Sequence, residues 1–479
     1  MAESYESRFK QWVNEEKSAV SLLNSTGKLM YDKGIELVFF RKHIINLGIP
    51  EILNLFSYSN DIVNQKVLVQ DVDNMAKLIL EIDFAPSKLD IGLLTLNFYK
   101  SNTDSMKDFL SNELSHFIGI DKHNVIAKDI VLYGFGRIGR LVARELIKQA
   151  GKGQQFRLKA IVTRNNSDEQ IKKRAALLQN DSVHGSFKGV VDVNLSEKSI
   201  VVNGQSIKMI EAKNPDNVDY TMYDIKDALL IDNTGVFKDK ESLSRHLQSK
   251  GISKVLITAP AQGIPNIVYG INNQDLDVEG NNIFSAASCT TNAISPILKI
   301  INDNYEIIQG HIETVHAYTN DQNLLDNMHK KARRGRSAAI NMVITSTGAG
   351  KAVTKVIPSL SGKLTASAVR VPTPNGSLAI MKLSLKKSTS KAEINELIRH
   401  NSLNGKLINQ IDYQINEELV SNDIIGTTSC AVFDSSATIV AQTGTDVILY
   451  TWYDNEFGYT KQVIRLAKQI GKVRRYTYY

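Results

Sequence analysis

Residues 128–140 have the sequence KDIVLYGFGRIGR, and this stretch decides the fold that the chain is expected to adopt. The apolar, partly β-branched run at 129–133 predicts a short buried strand. The apolar spacing of residues 141–149 predicts a helix shortly after the glycines. A strand, a glycine turn and a helix in this order are typical of a parallel α/β unit.

The glycines of this turn suit a dinucleotide. Gly134 fits a tight turn, Gly136 lets the backbone approach a pyrophosphate, and Gly139 lets helix and strand pack closely. The N-terminus of the helix offers unpaired N–H groups to the anion, so Arg137 and Ile138 join the candidate cofactor-binding residues. A GxGxxG pattern between strand and helix predicts dinucleotide binding. The alternative is a glycine turn without a ligand.

The end of the second expected strand, at 158–162, bears on the choice of cofactor. NAD sites usually carry an acidic residue about 20 positions after the glycines. Here the strand ends in Thr163 and Arg164, and the first acidic residue, Asp168, already lies in the loop. An arginine at this place can bind a 2′-phosphate, or it can simply point into solvent. The cofactor is therefore expected to be NAD or NADP.

The order and length of the expected strands beyond this stretch indicate two domains that combine helices and strands. Short strands expected at 229–231 and 254–258 continue the alternation with helices and predict a parallel sheet. Beyond residue 300 the strands lengthen, as at 377–385 and 445–450, which indicates a mostly antiparallel sheet. We predict an α/β protein with a Rossmann dinucleotide-binding domain and an α+β catalytic domain.

The first 125 residues look different. Apolar residues recur at near-helical spacing around Phe9 and Trp12 and in the segments 35–47 and 75–82, and no catalytic motif is found among them. They predict an all-helical N-terminal extension with an accessory or assembly role. The expected boundaries are 1–125 for this extension, 126–288 for the dinucleotide-binding domain, 289–454 for the catalytic domain, and 455–479 for a C-terminal helix that returns to the dinucleotide-binding domain.

Composition narrows the class of protein. The 479 residues carry a net charge of +7 and contain two cysteines, too few for a disulfide framework. A nucleic-acid-binding protein would show a clustered basic stripe. The densest cluster, Lys330–Arg336, is either a solvated face or an anion site for phosphate. Without a signal peptide or a long apolar run, we expect a cytoplasmic protein with no membrane or nucleic-acid partner and no metal.

Cys289 is the candidate nucleophile. It lies in SAASCTTN, residues 285–292, between an expected strand and the apolar helix 293–301. A helix N-terminus lowers the pKa of a thiol and offers N–H groups to an oxyanion. The alternative is a buried structural cysteine. His316, at the end of another strand, is the candidate general base, although a lone histidine there can also be structural.

Several motifs together resemble those of phosphorylating glyceraldehyde-3-phosphate dehydrogenases. They occur in that family's order, and the resemblance covers residues 127–479. It implies that Cys289 forms a thioester with the aldehyde carbon, that His316 accepts the proton, and that inorganic phosphate cleaves the thioester. The motifs are Gly134–Arg140, Ser288–Asn292, His316–Gln322, Ser346–Ala349, Arg370–Asn375 and Trp452–Tyr459.

The resemblance also implies binding roles. Its substrate-phosphate site corresponds to Thr319 and Arg370. The other implied residues are Ser288, Thr290, Thr347 and Gly348 for the attacking phosphate, Asn455 and Tyr459 near the nicotinamide carboxamide, and Thr234, Gly235 and Thr258 in the cofactor cleft. The cluster Lys330–Arg336 falls in the family's inter-subunit loop, so a homotetramer is expected.

The sequence departs from the family pattern in three places. Thr163 and Arg164 replace the acidic strand end of NAD-preferring members, which leaves the cofactor open. Ala293 stands where many members carry a second cysteine, and residues 1–125 have no counterpart in the common short forms. Two alternatives also remain: oxidation of erythrose 4-phosphate, and a catalytically idle binding protein on the same fold.

Overall fold

The structure is a computed structural model that describes residues 4–63, 65–119, 126–148, 151–345 and 347–479. The chain forms two compact units. The first comprises Met1–Ala127, Gln149–Phe156 and Val473–Tyr479, and the second comprises Lys128–Lys148 and Arg157–Lys472. No helix in the described ranges is both long and apolar enough to cross a membrane.

Five α-helices and a small sheet build most of the described part of the first unit. The helices are α1 (Tyr5–Lys28), α2 (Ile49–Val63), α3 (Val69–Glu81), α4 (Ile91–Lys100) and α5 (Met106–Glu113). The strands are β1 (Glu36–Phe39), β2 (Lys42–His43), β3 (Ser87–Asp90) and β20 (Tyr476–Tyr478), in the spatial order β2-β1-β3-β20. Both β1 and β20 run parallel to β3. The prediction of an all-helical extension is therefore wrong.

The error has a physical cause. The apolar residues of segment 35–47 fit helical spacing, but a short run such as Glu36–Phe39 is equally compatible with a strand. The strand ends because Phe40 and Arg41 adopt positive φ angles of 40° and 68°. Their backbone N–H groups each donate to the buried carboxylate of Asp90 at 2.8 Å. That carboxylate is distant in sequence, so no local pattern predicts the turn.

An eight-stranded sheet of the dinucleotide-binding type lies in the second unit, in the order β11-β10-β9-β4-β5-β8-β7-β6. Its strands are β4 (Lys128–Tyr133), β5 (Phe156–Thr163), β6 (Val191–Asn194), β7 (Ser199–Val202), β8 (Gln205–Glu211), β9 (Ala228–Asp232), β10 (Ile252–Ile257) and β11 (Ile283–Ser285). Its helices are α6 (Arg137–Ile147), α7 (Asp168–Gln179) and α8 (Lys240–Ser244). The strands β4, β9, β10 and β11 are parallel, and the order reverses at β4. Ligands of such sheets bind at this reversal, outside the carboxyl ends of the strands.

A second eight-stranded sheet follows, in the order β13-β14-β12-β15-β19-β17-β16, with β18 against β19. Its strands are β12 (Ile307–Ala317), β13 (Val343–Thr345), β14 (Leu364–Val371), β15 (Ser377–Leu385), β16 (Ile411–Gln414), β17 (Ala431–Asp434), β18 (Ile439–Val440) and β19 (Asp446–Tyr453). The α-helices of this part are α9 (Cys289–Tyr305), α10 (Ala349–Val356) and α11 (Lys391–Leu403), and the following helix α12 (Phe457–Ile470) packs against α6 and α9. Most strand pairs are antiparallel. The predicted combination of a Rossmann-type and a mostly antiparallel sheet is confirmed.

The helix α9 is anchored by its apolar face. Ile294, Ile297, Leu298 and Ile301 are buried in the same core as side chains of β15 and β19. Burial of this face fixes the direction of the helix, because each large aliphatic side chain contributes about 1.5–3 kcal/mol when it leaves water. The N-terminal end of α9, where Cys289 lies, is thereby held in place.

Candidate active site

Cys289 is the first residue of α9, directly after the turn that leaves β11. Ser288 is the N-cap: its Oγ accepts the N–H of Thr291 at 3.1 Å. The Cys289 Sγ is partly buried and lies 4.0 Å from the Thr290 Oγ1. Burial raises the pKa of the thiol, although Thr290 and the charge of Arg370 act in the opposite direction. The structure therefore does not support the lowered pKa expected at a helix N-terminus, because burial outweighs the hydrogen bonds and the charge that favour the thiolate.

His316 lies near the end of β12 and is buried. Its Nδ1 is 2.7 Å from the Ala317 carbonyl oxygen. Because a carbonyl can only accept, Nδ1 carries the hydrogen and Nε2 keeps the lone pair. Burial and the charge of Arg370 lower the pKa of His316 to about 4. The ring is thus neutral at pH 7 and can accept a proton through Nε2.

Three side chains lie beside this thiol or this imidazole: Thr290, Tyr453 and Asn455. The described residues contain no direct hydrogen bond between Cys289 and His316. The Thr290 Oγ1 lies 3.0 Å from the hydroxyl of buried Tyr453, whose ring meets the His316 ring edge-on with centroids 6.0 Å apart. The Asn455 Nδ2 is 3.2 Å from the His316 Nδ1 and 3.4 Å from its Nε2. The sequence missed Tyr453, although it belongs to the motif at 452–459.

Arg370 and Thr319 come together beside His316. The strands β12 and β14 are parallel neighbours with His316 opposite Arg370. The Arg370 Nη1 donates to the Ala317 carbonyl at 2.9 Å and to the Thr319 Oγ1 at 3.1 Å. Its Nε is buried and has no partner among the described residues. A buried guanidinium with an unused donor suits a phosphate ligand.

Arg334 is a second arginine at this site, and the sequence did not single it out. It pairs with Asp321, which also accepts the hydroxyl hydrogen of Thr319. Its Nε donates to the Thr345 Oγ1 at 3.1 Å. Its charge contributes to the lowered pKa of both His316 and Arg370. The sequence offered two alternatives for the cluster Lys330–Arg336, a solvated face and an anion site for phosphate. The position of Arg334 beside Arg370 and His316 agrees with the second.

The remaining residues expected to bind the attacking phosphate lie at two helix N-termini. Ser288 and Thr290 begin α9, while Thr347 and Gly348 precede α10, which packs against α9. The Thr347 Oγ1 accepts the N–H of Ala349 at 3.2 Å. Gly348 is exposed. Ser346 lies outside the described residues.

The glycine turn fits a pyrophosphate. Gly134 has a φ of +88°, and a Cβ there would lie 2.8 Å from the Thr234 Cγ2. A Cβ on Gly139 would lie 2.7 Å from the Gly134 carbonyl oxygen. Gly136, in contrast, is exposed, and a Cβ there would meet nothing within 4 Å. The open space beside Gly136 is the feature that a bound phosphate needs.

The side chain of Arg137 binds carboxylates of the protein and not the glycine turn. Its guanidinium pairs with Glu456, at 2.6 Å from Nε, and lies 3.4 Å from Asp181. Arg137 and Ile138 are nevertheless the first residues of α6, where backbone N–H groups lack helical partners. These N–H groups, and not the guanidinium, are the donors that this end offers to an anion.

The turn after β9 lies next to the glycine turn. The Asp232 Oδ1 accepts both the N–H and the hydroxyl of Thr234 at 2.7 Å. The Thr258 N–H donates to the Asp232 carbonyl at 3.0 Å. Gly235 has a φ of +63° and open space around it. Thr234, Gly235 and Thr258 are thus brought together at the carboxyl ends of β9 and β10.

Two exposed basic side chains follow neighbouring strands: Arg164 follows β5, and Lys213 follows β8. Arg164 is exposed, whereas Thr163 is nearly buried and donates from its hydroxyl to the Asn165 carbonyl at 3.0 Å. The neighbouring strand β8 continues to Ala212, whose N–H binds the Thr163 carbonyl at 2.9 Å, and then to exposed Lys213. Among the described residues, neither Arg164 nor Lys213 is paired with a carboxylate. Both are available to an anionic ligand.

A hydrogen-bond network fixes Asn455. Its N–H donates to the Asn375 Oδ1 at 3.0 Å, and its Oδ1 accepts the Ser377 hydroxyl at 2.8 Å. Asn375 in turn donates to the buried carboxylate of Asp454 at 2.8 Å, which also lies 2.9 Å from the His184 Nε2. Sequence reasoning did not assign roles to these supporting residues, because their contacts join segments that are far apart in the chain.

Comparison with known proteins gives consistent results. The model of the glyceraldehyde 3-phosphate dehydrogenase NAD binding domain matches residues 128–240, and the model of the C-terminal domain matches residues 288–455. The glyceraldehyde-3-phosphate dehydrogenase 2 of Nostoc sp. strain PCC 7120 is 41% identical over 345 residues, which are 72% of this chain and 98% of the relative. The glyceraldehyde-3-phosphate dehydrogenase of Streptomyces coelicolor is 38% identical over 71% of this chain and 97% of its own length.

A longer relative includes the first unit. The glyceraldehyde-3-phosphate dehydrogenase-like protein of Pseudomonas aeruginosa strain UCBPP-PA14 is 44% identical over 454 residues, covering 93% of this chain and 97% of the relative. An alignment of that extent has to include most of residues 1–127. Together with the matched domains and the geometry of the site, these similarities show that the chain belongs to the glyceraldehyde-3-phosphate dehydrogenase family and is an oxidoreductase of that type, with NAD or NADP as its cofactor.

Proposed function

We propose that the chain catalyses the reversible oxidative phosphorylation of D-glyceraldehyde 3-phosphate to 1,3-bisphosphoglycerate, through a thioester on Cys289. The observation that carries the proposal is the position of Arg370, whose charge acts on both Cys289 and His316 and whose buried Nε has no partner among the described residues. A nucleophile, a base and an unused phosphate donor in one site are what this reaction requires.

The proposed proton transfer follows from the shifted pKa values of Cys289 and His316. The resting thiol is protonated, because burial raises its pKa, and the resting imidazole is neutral. As the Cys289 sulfur bonds to the aldehyde carbon, His316 Nε2 accepts the proton that the reaction releases. The N–H groups at the start of α9 stabilise the negative oxygen that develops beside the sulfur. When bound, the nicotinamide ring supplies the hydride acceptor.

Two anions have to bind near the sulfur. Arg370 and Thr319 are proposed to hold the phosphate of the substrate, with Arg334 close by. The attacking phosphate is assigned to Ser288, Thr290, Thr347 and Gly348, as hydroxyl and backbone donors. Phosphate then displaces the Cys289 thiolate from the acyl carbon, and the proton held by His316 returns to the sulfur.

The proposed cofactor site uses the carboxyl ends of the parallel strands. Gly134, Gly136, Gly139 and the N–H groups of Arg137 and Ile138 bind the pyrophosphate. The other proposed contacts are Thr234, Gly235, Thr258, Arg164, Asn455 and Tyr459. In this proposal residues 126–288 bind the cofactor, and residues 289–454 bind the substrate.

Self-association, as a homotetramer, is part of the proposal. Six large apolar side chains between residues 324 and 344 are exposed: Leu324, Leu325, Met328, Ile340, Met342 and Ile344. Such a concentration of apolar surface is typical of an interface between proteins. Sedimentation equilibrium of the purified full chain measures the assembly mass directly.

Steady-state kinetics test the reaction. With D-glyceraldehyde 3-phosphate, turnover is expected with either cofactor and is expected to require inorganic phosphate. Erythrose 4-phosphate serves as the competing aldehyde, and the larger kcat/KM identifies the substrate. Tight cofactor binding without turnover on either aldehyde would indicate a binding protein and contradict the proposal.

NADP is expected to serve as cofactor, because Arg164 and Lys213 are cations without a carboxylate partner in the described chain, at the ends of β5 and β8. Thr163→Asp should raise the KM for NADP and spare that for NAD, since the new carboxylate repels a 2′-phosphate. Thr163→Asn has the same shape without charge and controls for the cost of changing a nearly buried side chain. A wild-type preference for NAD above about 10³-fold, roughly 4 kcal/mol, would count against this assignment.

A further inference from the structure

The turn that presents Cys289 contains a residue in an unfavourable backbone conformation. Ala287, two residues before the sulfur-bearing position, has a φ of +56° and is 2% exposed. An L-residue with a side chain rarely adopts this left-handed region, whereas glycine adopts it freely. The turn therefore needs contacts that hold it.

Three side chains supply those contacts. The Ser285 Oγ accepts the N–H of Ala287 at 3.0 Å. The Asn292 Nδ2 donates to the carbonyl oxygens of Ala286 and Ser288, both at 2.9 Å. The Tyr459 hydroxyl donates to the Ala287 carbonyl at 3.0 Å. Ser285 and Asn292 flank the turn in sequence, but Tyr459 comes from α12.

The hydroxyl of Tyr459 is fully committed to this contact. The side chain is 4% exposed. Burial, with a smaller contribution from Cys289, raises the pKa of Tyr459 well above 10, so the hydroxyl stays a neutral donor. Its single hydrogen goes to a carbonyl, which can only accept. The hydroxyl therefore has no second hydrogen to give to a cofactor.

We propose that Tyr459 is a positioning residue for Cys289: its hydroxyl holds the Ala287 carbonyl and thereby the left-handed backbone that puts the sulfur at the start of α9. This inference rests on the proposed function, in which Cys289 is the nucleophile. It differs from a cofactor-binding role for the same hydroxyl, because it acts on the protein whether or not the cofactor is bound.

A double-mutant cycle tests the proposal. Tyr459→Phe removes only the hydroxyl, and Ala287→Gly removes the need for it, because glycine adopts a φ of +56° without strain. The first measurement is the rate at which iodoacetamide alkylates Cys289 in the cofactor-free protein across pH, with the labelled peptide identified by mass spectrometry. The second is kcat and the KM for cofactor.

In the wild-type background, Tyr459→Phe should slow alkylation and lower kcat about five- to tenfold, which corresponds to roughly 1.0–1.4 kcal/mol and is typical of one net hydrogen bond. The KM for cofactor should change less than about twofold, because phenylalanine keeps the ring that the proposed cofactor site uses and loses only the hydroxyl. In the Ala287→Gly background, the same substitution should change neither the alkylation rate nor kcat by more than about twofold, because glycine holds this backbone conformation without the contact. The difference between the two backgrounds measures the coupling between Tyr459 and Ala287.

Tyr220→Phe is the matched control. Tyr220 is also buried, at 0% exposure, and its hydroxyl has no partner among the described residues. Its replacement should leave alkylation and kcat unchanged. If Tyr459→Phe does not fold, the double variant carries the test: the proposal requires it to fold and to react at the rate of Ala287→Gly, and failure there overturns it.

Other outcomes are equally decisive. Equal losses in both backgrounds, or a raised KM for cofactor with normal alkylation, would overturn the positioning role. A wild-type protein that oxidises neither aldehyde would overturn the proposed function instead, and the alkylation cycle would still decide whether Tyr459 positions Cys289.

Discussion

Replacement of Cys289 by serine is expected to abolish aldehyde oxidation and to leave cofactor binding intact. A serine hydroxyl ionises far less readily than a thiol near neutral pH, so the sulfur cannot be replaced as nucleophile. The expected fall in kcat exceeds about 10⁴-fold, as for other lost nucleophiles. Initial rates and calorimetric titration with NAD or NADP measure the two effects separately.

Cys430 provides the matched control for this substitution. It is 3% exposed, and its thiol donates to the Gln410 carbonyl at 3.4 Å. Cys430→Ser should keep its activity and remain sensitive to iodoacetate, which should label Cys289 in the wild type. Inactivation accompanied by a label on Cys430 alone would show that the nucleophile is wrongly assigned.

Replacement of His316 by asparagine is expected to lower kcat by about 10²–10⁴-fold, the usual span for a lost general base. The apparent pKa of Cys289 should also rise, because no neighbouring base remains to take the proton.

Since the pKa of His316 is about 4, the imidazole of the wild type is neutral from about pH 5 upward. The wild-type rate should therefore show no loss from protonation of His316 between about pH 6 and pH 9.

His311 is the control on the same strand. It is exposed on β12 and contacts Thr365 and Ser367, which lie outside the proposed site. His311→Asn should change kcat less than about twofold, as is usual for surface substitutions. A His316→Asn protein with normal turnover and an unchanged thiol titration would remove the role assigned to His316.

The sequence predicted the parts of the fold that depend on local patterns. The run at 129–133 and the glycines after it are sufficient to expect β4 and α6, because both the strand and the turn follow from neighbouring residues. The segment 377–385 likewise predicts β15. In the first unit, β1 depends on its pairing with β3 and on the carboxylate of Asp90, so local spacing favoured the wrong structure there.

The same distinction holds for the candidate site. Cys289 and His316 stand in motifs that the sequence shows directly. Arg334 was hidden in a run of basic residues, and only its pairing with Asp321 distinguishes it from its neighbours. The raised pKa of the Cys289 thiol was also beyond sequence reasoning, because the degree of burial at a helix N-terminus depends on the whole fold.

The first unit is assembled from segments that are far apart in sequence, and this affects synthesis of the protein. Its strand β3 pairs on one side with β1 and on the other with β20, which is far from β3 in sequence. During translation, β3 leaves the ribosome long before Tyr476–Tyr478 is made, so one edge of this sheet stays unpaired until that segment is synthesised. An unpaired strand edge is a site of aggregation. Nascent chains stalled before residue 473 should therefore engage chaperones, and a clone lacking the codons for Val473–Tyr479 should yield protein whose N-terminal unit is cut by proteases.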